Sequence, residues 1–490
     1  MGTHSNGTIW YSLLVVAALL AAGCTSLNAR LNGADRPTDA APIRNHTRAA
    51  VAAEPMTLRA TARDDDDVRA VTDPRTPATP ATPTTPTTPA TTPTGTTPDD
   101  GYFVGIGISG GGSRSANFAA ACMFHLQRLG LLQRVDYISA VSGGSLTAAY
   151  YCVSTDDEWN PGTVQEKLTH SFASDLLWRT IMPWNAVWML VTDWDRSDLL
   201  ADCFRKVLFT RDGKELTFGD LRRERPRLLI NATDLQTGKG FVFCNETFDQ
   251  LNSDLSKYPL AHAVTASSAV PVLLHQVTLR DHSTTFKQYR HLVDGGVVDN
   301  LGVKTLVEMY RAQVKSEPTR YAKGAVFIVL DARTQHDARI ANRGDTSLLE
   351  SLQFGTGLTS TVLLKRASTA TLAEIILDSS PDNVTAAELR KNRDALINGG
   401  YVELKDIDGR PVYVLHLAMS RVDDVAEQPS LAFKQSLNNI ATYFNISSGE
   451  AAQLYQAANL LVEHRFRDEL QKISDELNGV KRATTMPAHP

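Results

Sequence analysis

The sequence predicts an α/β fold: a three-layer α/β/α sandwich around a mostly parallel sheet. Three observations predict it. An apolar strand-like run, residues 102–109, ends in Gly110-Gly111-Gly112 and opens a helix near Arg114. A second apolar run, residues 138–141, breaks at Ser142 and turns helical through residues 146–151. Beyond residue 100 the chain keeps alternating strand-like and helix-like runs, as expected of strands joined by helical crossovers. The three glycines and Ser142 are therefore expected at the carboxyl ends of adjacent strands.

The chain opens with residues 1–24, where an apolar stretch at 13–22 is too short to span a bilayer comfortably and is followed by Gly23-Cys24-Thr25-Ser26. This reads as a secretion signal. Small residues leading into a cysteine resemble a bacterial lipobox, which implies cleavage before Cys24, a lipid on its thiol and a membrane-anchored place in the bacterial cell envelope, at the outer membrane or facing the periplasm. A plain exported protein or a single anchor helix is the alternative, because Ala21 stands where leucine is usual. Residues 25–100 are poor in large apolar groups, and from Thr72 to Asp100 proline recurs nearly every third residue among Thr and Ala. Such a linker buries no core. It favours extended polyproline II, reaching roughly 80 Å at about 3.1 Å per residue, and with the acidic run at 64–67 it forms a solvated stalk.

About 390 of the 490 residues are left to fold. The formal net charge of −5 supplies no basic field for nucleic acid, and no zinc-type Cys/His spacing occurs, so neither a metal nor a cofactor is expected. Apart from Cys24, the cysteines are Cys122, Cys152, Cys203 and Cys244. Their spacing supports no particular disulfide, and Cys122 and Cys152 lie on apolar helix faces as buried thiols do.

The glycine loop and Ser142 carry the chemistry. A serine at a tight strand-to-helix turn, flanked by small residues, has its Oγ pushed clear of the sheet. Bare N–H groups at a helix N-terminus suit a developing negative charge. A phosphate loop of the Walker type lacks its Gly-Lys-Ser/Thr here, and a dinucleotide fingerprint needs a glycine where Ser115 stands. In His291-Leu292-Val293-Asp294-Gly295-Gly296 a carboxylate ends a short strand and two glycines admit other backbone, which makes Asp294 the candidate general base.

Taken with Asn231-Ala232-Thr233-Asp234-Leu235 and Ala263-Val264-Thr265-Ala266-Ser267-Ser268-Ala269-Val270-Pro271, these segments resemble the patatin-like phospholipase family, in the same order, over roughly residues 101–332. The resemblance implies a Ser142–Asp294 dyad with no histidine, an acyl-enzyme intermediate, and an oxyanion held by N–H groups of Gly110, Gly111, Gly112 and Gly143. It implies hydrolysis of lipid acyl esters at a membrane surface, as a phospholipase A or lysophospholipase. Two positions depart from the family pattern: Ala140 and Ser115 both stand where it has glycine. Alanine fits if its φ is negative. Asp294-Gly295-Gly296 matches without change.

Alternatives stand beside each role. A Ser-Asp-His triad would draw on His336, His416 or His464; His416 sits in an alternating strand pattern, which suits a structural residue better. Asp299, just before a helix at residues 303–311, reads as a cap rather than a second acid. Arg114 either contacts a phosphate head group or braces the glycine loop. Acyl transfer shares the same intermediate, and a lipid-binding surface lipoprotein without turnover keeps the same fold.

Between nucleophile and base, residues 176–194 gather Trp178, Trp184, Trp188 and Trp194 among aliphatic residues, either as a buried insertion or as a lipid-facing cap. Residues 401–404 and 412–417 flank Asp408-Gly409 and predict a β-hairpin. Ser447-Ser448-Gly449-Glu450 opens a helical C-terminus whose apolar spacing over residues 451–477 suits packing on the core, with a dimerisation helix as the other reading. The expected organisation is a signal (1–24), a linker (25–100), a catalytic core (101–335), an extension carrying the hairpin (336–430) and a helical region (431–490).

Overall fold

A computed structural model of the protein describes residues 101–334, 372, 385–406, 408–424 and 429–479, apart from positions 186–188, 190, 191, 193, 272, 285 and 286. The expected signal, Cys24, the Thr/Pro-rich linker and His336 lie outside the described residues.

Nine strands form one mixed sheet: β1 (Tyr102–Ile108), β2 (Tyr137–Val141), β3 (Arg227–Asp234), β4 (Lys239–Phe243), β5 (Val277–Asp281), β6 (Gln288–Asp294), β7 (Gly324–Asp331), β8 (Tyr401–Lys405) and β9 (Pro411–Ala418). Their order is β8-β9-β7-β1-β2-β3-β6-β5, with β4 also paired to β3. The central strands β9, β7, β1, β2 and β3 run parallel. Antiparallel β8 closes one side, and β4, β5 and β6 the other. Every residue of β1, β2 and β7 is buried, which is why these strands read as continuous apolar runs: a parallel sheet is covered on both faces.

The main helices are α1 (Gly112–Arg128), α2 (Gly143–Val153), α3 (Pro161–Leu168), α4 (Phe172–Ile181), α5 (Arg196–Val207), α6 (Asn245–Gln250), α7 (Leu260–Ser267), α8 (Val303–Ser316), α9 (Ala386–Ile397), α10 (Leu431–Asn439), α11 (Ser448–Asn459) and α12 (Arg467–Leu477). One face of the sheet packs on α1, α2, α7, α11 and α12 through residues such as Ile106, Ile108, Leu454 and Leu470. The other packs on α8 and α9 through Phe103, Leu306, Val329 and Leu396. The expected sandwich is therefore present. Gly107 allows the second layer to come close, since a Cβ there would lie 2.8 Å from the Leu301 carbonyl oxygen.

The hairpin forms as the sequence predicts, with Leu404 opposite Val412 and Gly409 supplying the left-handed turn residue at φ 82°. It is no appendage: β9 lies parallel to β7 and widens the sheet itself. Ser447 and Glu450 form a reciprocal capping box on α11. Leu454, Leu461, Leu470 and Ile473 fill the same core as α1, and Glu463 bonds to His125 and Arg128 of α1. The C-terminal apolar stripe thus packs on the core. Cys122, Cys152, Cys203 and Cys244 are buried free thiols. Burial pushes Cys203 and Cys244 up to about 11 and Cys152 to about 12. No described helix is long and apolar enough to cross a membrane.

Candidate active site

Three strand ends meet at the carboxyl edge of the parallel strands. β1 and β2 pair side by side, so the glycine loop that follows β1 and Ser142 that follows β2 are neighbours. Ser142 has φ 50° and ψ −128°, a left-handed conformation that costs a non-glycine residue about 1–3 kcal/mol. The turn is held by Ser267 of α7, whose Oγ accepts the Ser142 N–H at 2.8 Å and donates to the Asn231 carbonyl at 2.6 Å. Asn231 in turn donates its Nδ2 to Ser139 Oγ and the Ala140 carbonyl on the neighbouring strand. Nothing in the sequence beyond the accessory segments themselves marked Ser267 as the brace of the turn.

The two departures from glycine are accommodated. Ala140 lies within β2 and is not among the residues with positive φ. Ser115 sits in the first turn of α1 and its hydroxyl donates to the Ser109 carbonyl, so the added atoms fasten the loop to its own start.

Gly111 and Gly112 have φ 139° and 57°, conformations that call for glycine. A Cβ on Gly143 would lie 2.1 Å from the Gly112 carbonyl oxygen, so the glycine loop and the serine turn touch backbone to backbone. Among the described residues the N–H groups of Gly111, Gly112 and Gly143 have no acceptor. Gly110 is a correction: its N–H donates to the Asn300 carbonyl at 3.0 Å, so it is spent on fixing the loop. Its lack of a side chain answers to packing, since a Cβ there would lie 2.5 Å from Asn300 Oδ1.

Asp294 arrives from the opposite direction. β2 pairs with β3 as far as Val141 and Asn231; antiparallel β6 takes up that edge at the next position, pairing Asp294 with Ala232. The strand carrying the acid therefore runs head-on into the end of the strand carrying the serine. Gly295 permits this, because a Cβ there would lie 2.2 Å from the Asn231 carbonyl oxygen. The Asp294 carboxyl accepts the Gly296 N–H at 2.8 Å and is hydrogen-bonded by the Ser142 side chain. Burial pushes its pKa up to about 6, against the pull of those two donors. Ser142 is 6 % exposed and Asp294 5 %. The arrangement offers an alcohol bound to a desolvated carboxylate, with unspent N–H groups on the adjoining backbone.

The other candidates fall elsewhere. Arg114 is buried and donates Nη1 to the Ile440 carbonyl at 2.9 Å, toward the C-terminal region. Asp299 accepts the N–H groups of Leu301 and Lys304 at 2.9 Å each, the capping role expected at α8. His416 is fully buried, bonded through Nδ1 to the Leu396 carbonyl and through Nε2 to Asp331 at 3.0 Å. Burial alone would raise Asp331, yet Arg333 and His416 hold its carboxyl well below the usual range. His464 is exposed on the C-terminal helical region. The tryptophan-rich segment divides: Leu177, Trp178, Ile181 and Trp184 are exposed, whereas Met189 is buried. The side chain of Trp188 lies outside the described residues.

Residues 107–307, which contain the glycine loop, Ser142 and Asp294, match the family model of patatin-like phospholipases. No curated protein matches the chain. Among solved structures, human GIVD cytosolic phospholipase A2 is similar at 14% identity and a TM-score of 0.44, over 78% of this chain and 63% of that one. VipD from Legionella pneumophila is similar at 12% identity and a TM-score of 0.26, over 74% and 67%. The complex of SpcU with ExoU from Pseudomonas aeruginosa follows at 14% and 0.23, over 77% and 79%. The chain thus spans less than two thirds of the human enzyme's length.

Proposed function

We propose that the protein is a serine acyl hydrolase of the phospholipase A or lysophospholipase type, acting through a Ser142–Asp294 dyad. The observation that carries this reading is the hydrogen bond between the Ser142 side chain and the buried Asp294 carboxyl. Asp294 takes the hydroxyl proton as Oγ attacks the ester carbonyl carbon. The carbonyl oxygen becomes an anion facing the N–H groups of Gly111, Gly112 and Gly143. Collapse of the tetrahedral intermediate breaks the bond to the alcohol, which leaves with the proton from Asp294, and Oγ keeps the acyl group. Water then adds to the acyl-enzyme, giving up a proton to Asp294, and the fatty acid departs as Ser142 regains its hydrogen. An aspartate of ordinary acidity is a weak base; desolvation that raises it to about 6 makes it a useful one near neutrality. One lost oxyanion donor costs about 3–4 kcal/mol of transition-state stabilisation.

The substrate reading is a lipid presented at a membrane. Four large apolar side chains exposed on and just after α4 support it, since tryptophan favours the bilayer interface. The accommodation of Ala140 and Ser115 supports turnover over a binding-only role. The tether is Cys24, which places the enzyme in the cell envelope on the end of the Thr/Pro stalk; loss of metabolic lipid labelling in Cys24→Ala tests it.

A fluorophosphonate probe tests the chemistry. Labelling of the wild type at Ser142, absent from Ser142→Ala and slowed at least about a hundredfold in Asp294→Asn, is the expected result. An Asp294→Asn protein that releases fatty acid at the wild-type rate sinks the dyad.

A further inference from the structure

We infer that Arg114 and the backbone of residues 440–444 position the glycine loop for catalysis, Arg114 acting as an internal strut and not as a ligand for a lipid head group. This rests on the hydrolase reading above. Four contacts carry it, all to one short stretch after α10. The Arg114 Nη1 donates to the Ile440 carbonyl at 2.9 Å. A Cβ built on Gly112 would lie 2.0 Å from the Thr442 carbonyl oxygen, so that carbonyl rests directly on the loop. The Ser113 N–H donates to the Tyr443 carbonyl at 3.0 Å, and the Ala173 N–H of α4 donates to the Phe444 carbonyl at 2.9 Å.

The stacking order explains what the stretch does. Gly143 abuts the Gly112 carbonyl, and the Thr442 carbonyl stands where a Cβ of Gly112 would lie, so three backbones from distant parts of the sequence meet with no side chain between them. A loop held at φ 139° and 57° by glycines has little stiffness of its own. Held against two other backbones, it keeps its N–H groups aimed. The Tyr443 carbonyl also takes up the Ser113 N–H, so the next donor along α1 is withdrawn and, from the glycine loop, an incoming oxyanion meets only Gly111 and Gly112, with Gly143 completing the set. The stretch is itself anchored by the Phe444 ring, whose centroid lies 5.4 Å from that of Phe204 on α5.

Arg114→Met tests the strut, read against two substrates: a phospholipid in vesicles and an uncharged short-chain ester. Displacing catalytic donors by a fraction of an ångström to an ångström costs about tenfold to a hundredfold in rate. The expected result is a fall of that size in kcat and in fluorophosphonate labelling, equal for both substrates, with KM within about twofold and partial rescue by Arg114→Lys. A loss confined to the phospholipid, or one carried by KM, would assign Arg114 to a head group and overturn the inference. Phe444→Ala loosens the stretch without touching the loop and decides the matter should the Arg114 variants fail to fold: slowed labelling with little change in thermal midpoint supports the inference, and wild-type labelling overturns it. If the wild type labels at Ser142 and Arg114→Met labels equally fast, only this inference fails; if the wild type never labels at Ser142, the hydrolase reading fails first and takes this one with it.

Discussion

Val141 pairs with Asn231, and Asp294 pairs with Ala232, the next residue along the same strand. Two strands of opposite direction thus share one edge of β3, and the residues at their meeting point are the serine and the acid. Their approach is a property of sheet register: it does not depend on a flexible loop finding its partner. Rigid support of this kind suits chemistry that needs a proton passed over a single hydrogen bond.

The ionisation of Asp294 sets the acid limb. Its carboxyl must be unprotonated to accept the serine proton, so kcat/KM falls about tenfold per pH unit below an apparent pKa near about 6. Rates across the range from about pH 4 to 8 check this, and a limb near the ordinary aspartate value would contradict the burial.

Stability runs the other way at the same residue. The folded-state pKa lies above the unfolded value of 3.8, so the contribution of Asp294 is most favourable below that value and is lost as pH rises through about 6. Asp294→Asn should therefore gain on the wild type as pH rises, by at most about 2–3 kcal/mol above pH 6 and by little at low pH. Denaturant unfolding at the two ends of the range measures the difference.

Gly143→Ala drives a methyl to 2.1 Å from the Gly112 carbonyl oxygen, and the group it meets is backbone with nowhere to retreat. Overpacking of this kind costs about 1–3 kcal/mol. Loss of labelling should exceed what the drop in folded fraction explains, because the contact lies within the donor set.

Trp178 and Trp184 are 62 % and 67 % exposed, so replacing both with alanine should leave stability within about 0.5 kcal/mol while weakening vesicle binding about tenfold or more. Sedimentation with anionic and zwitterionic vesicles reads this out, and unchanged binding removes the lipid-facing cap.

His416→Ala breaks a fully buried pair with Asp331, which costs about 3–5 kcal/mol. The folded fraction should still label at Ser142. Abolished labelling in protein shown to be folded would revive a histidine-dependent mechanism.

What could be read in the sequence follows from what forces a residue type. Ser142 and Asp294 were legible because strand ends, tight turns and close backbone approach demand glycine beside them, leaving Gly143, Gly295 and Gly296 as marks. The same reasoning overreached at Gly110, since a glycine shows that room is needed without showing where its N–H points. Arg114 was legible as a cation near the loop, yet the Ile440 end of its contact is a carbonyl, which any residue could supply. For the same reason residues 440–444 carried no mark at all: Thr442 and Tyr443 act through backbone, and backbone leaves no trace in side-chain identity. The exposed half of the tryptophan-rich segment was equally hidden, because apolar composition is the same for a buried and a lipid-facing run.

The seat of Thr442 on Gly112 bears on how such a protein is made. Synthesis delivers the glycine loop, the serine and the aspartate long before it delivers their backing. On this wiring a nascent chain carries Ser142 and Asp294 before the backbone that backs their glycine loop has been made.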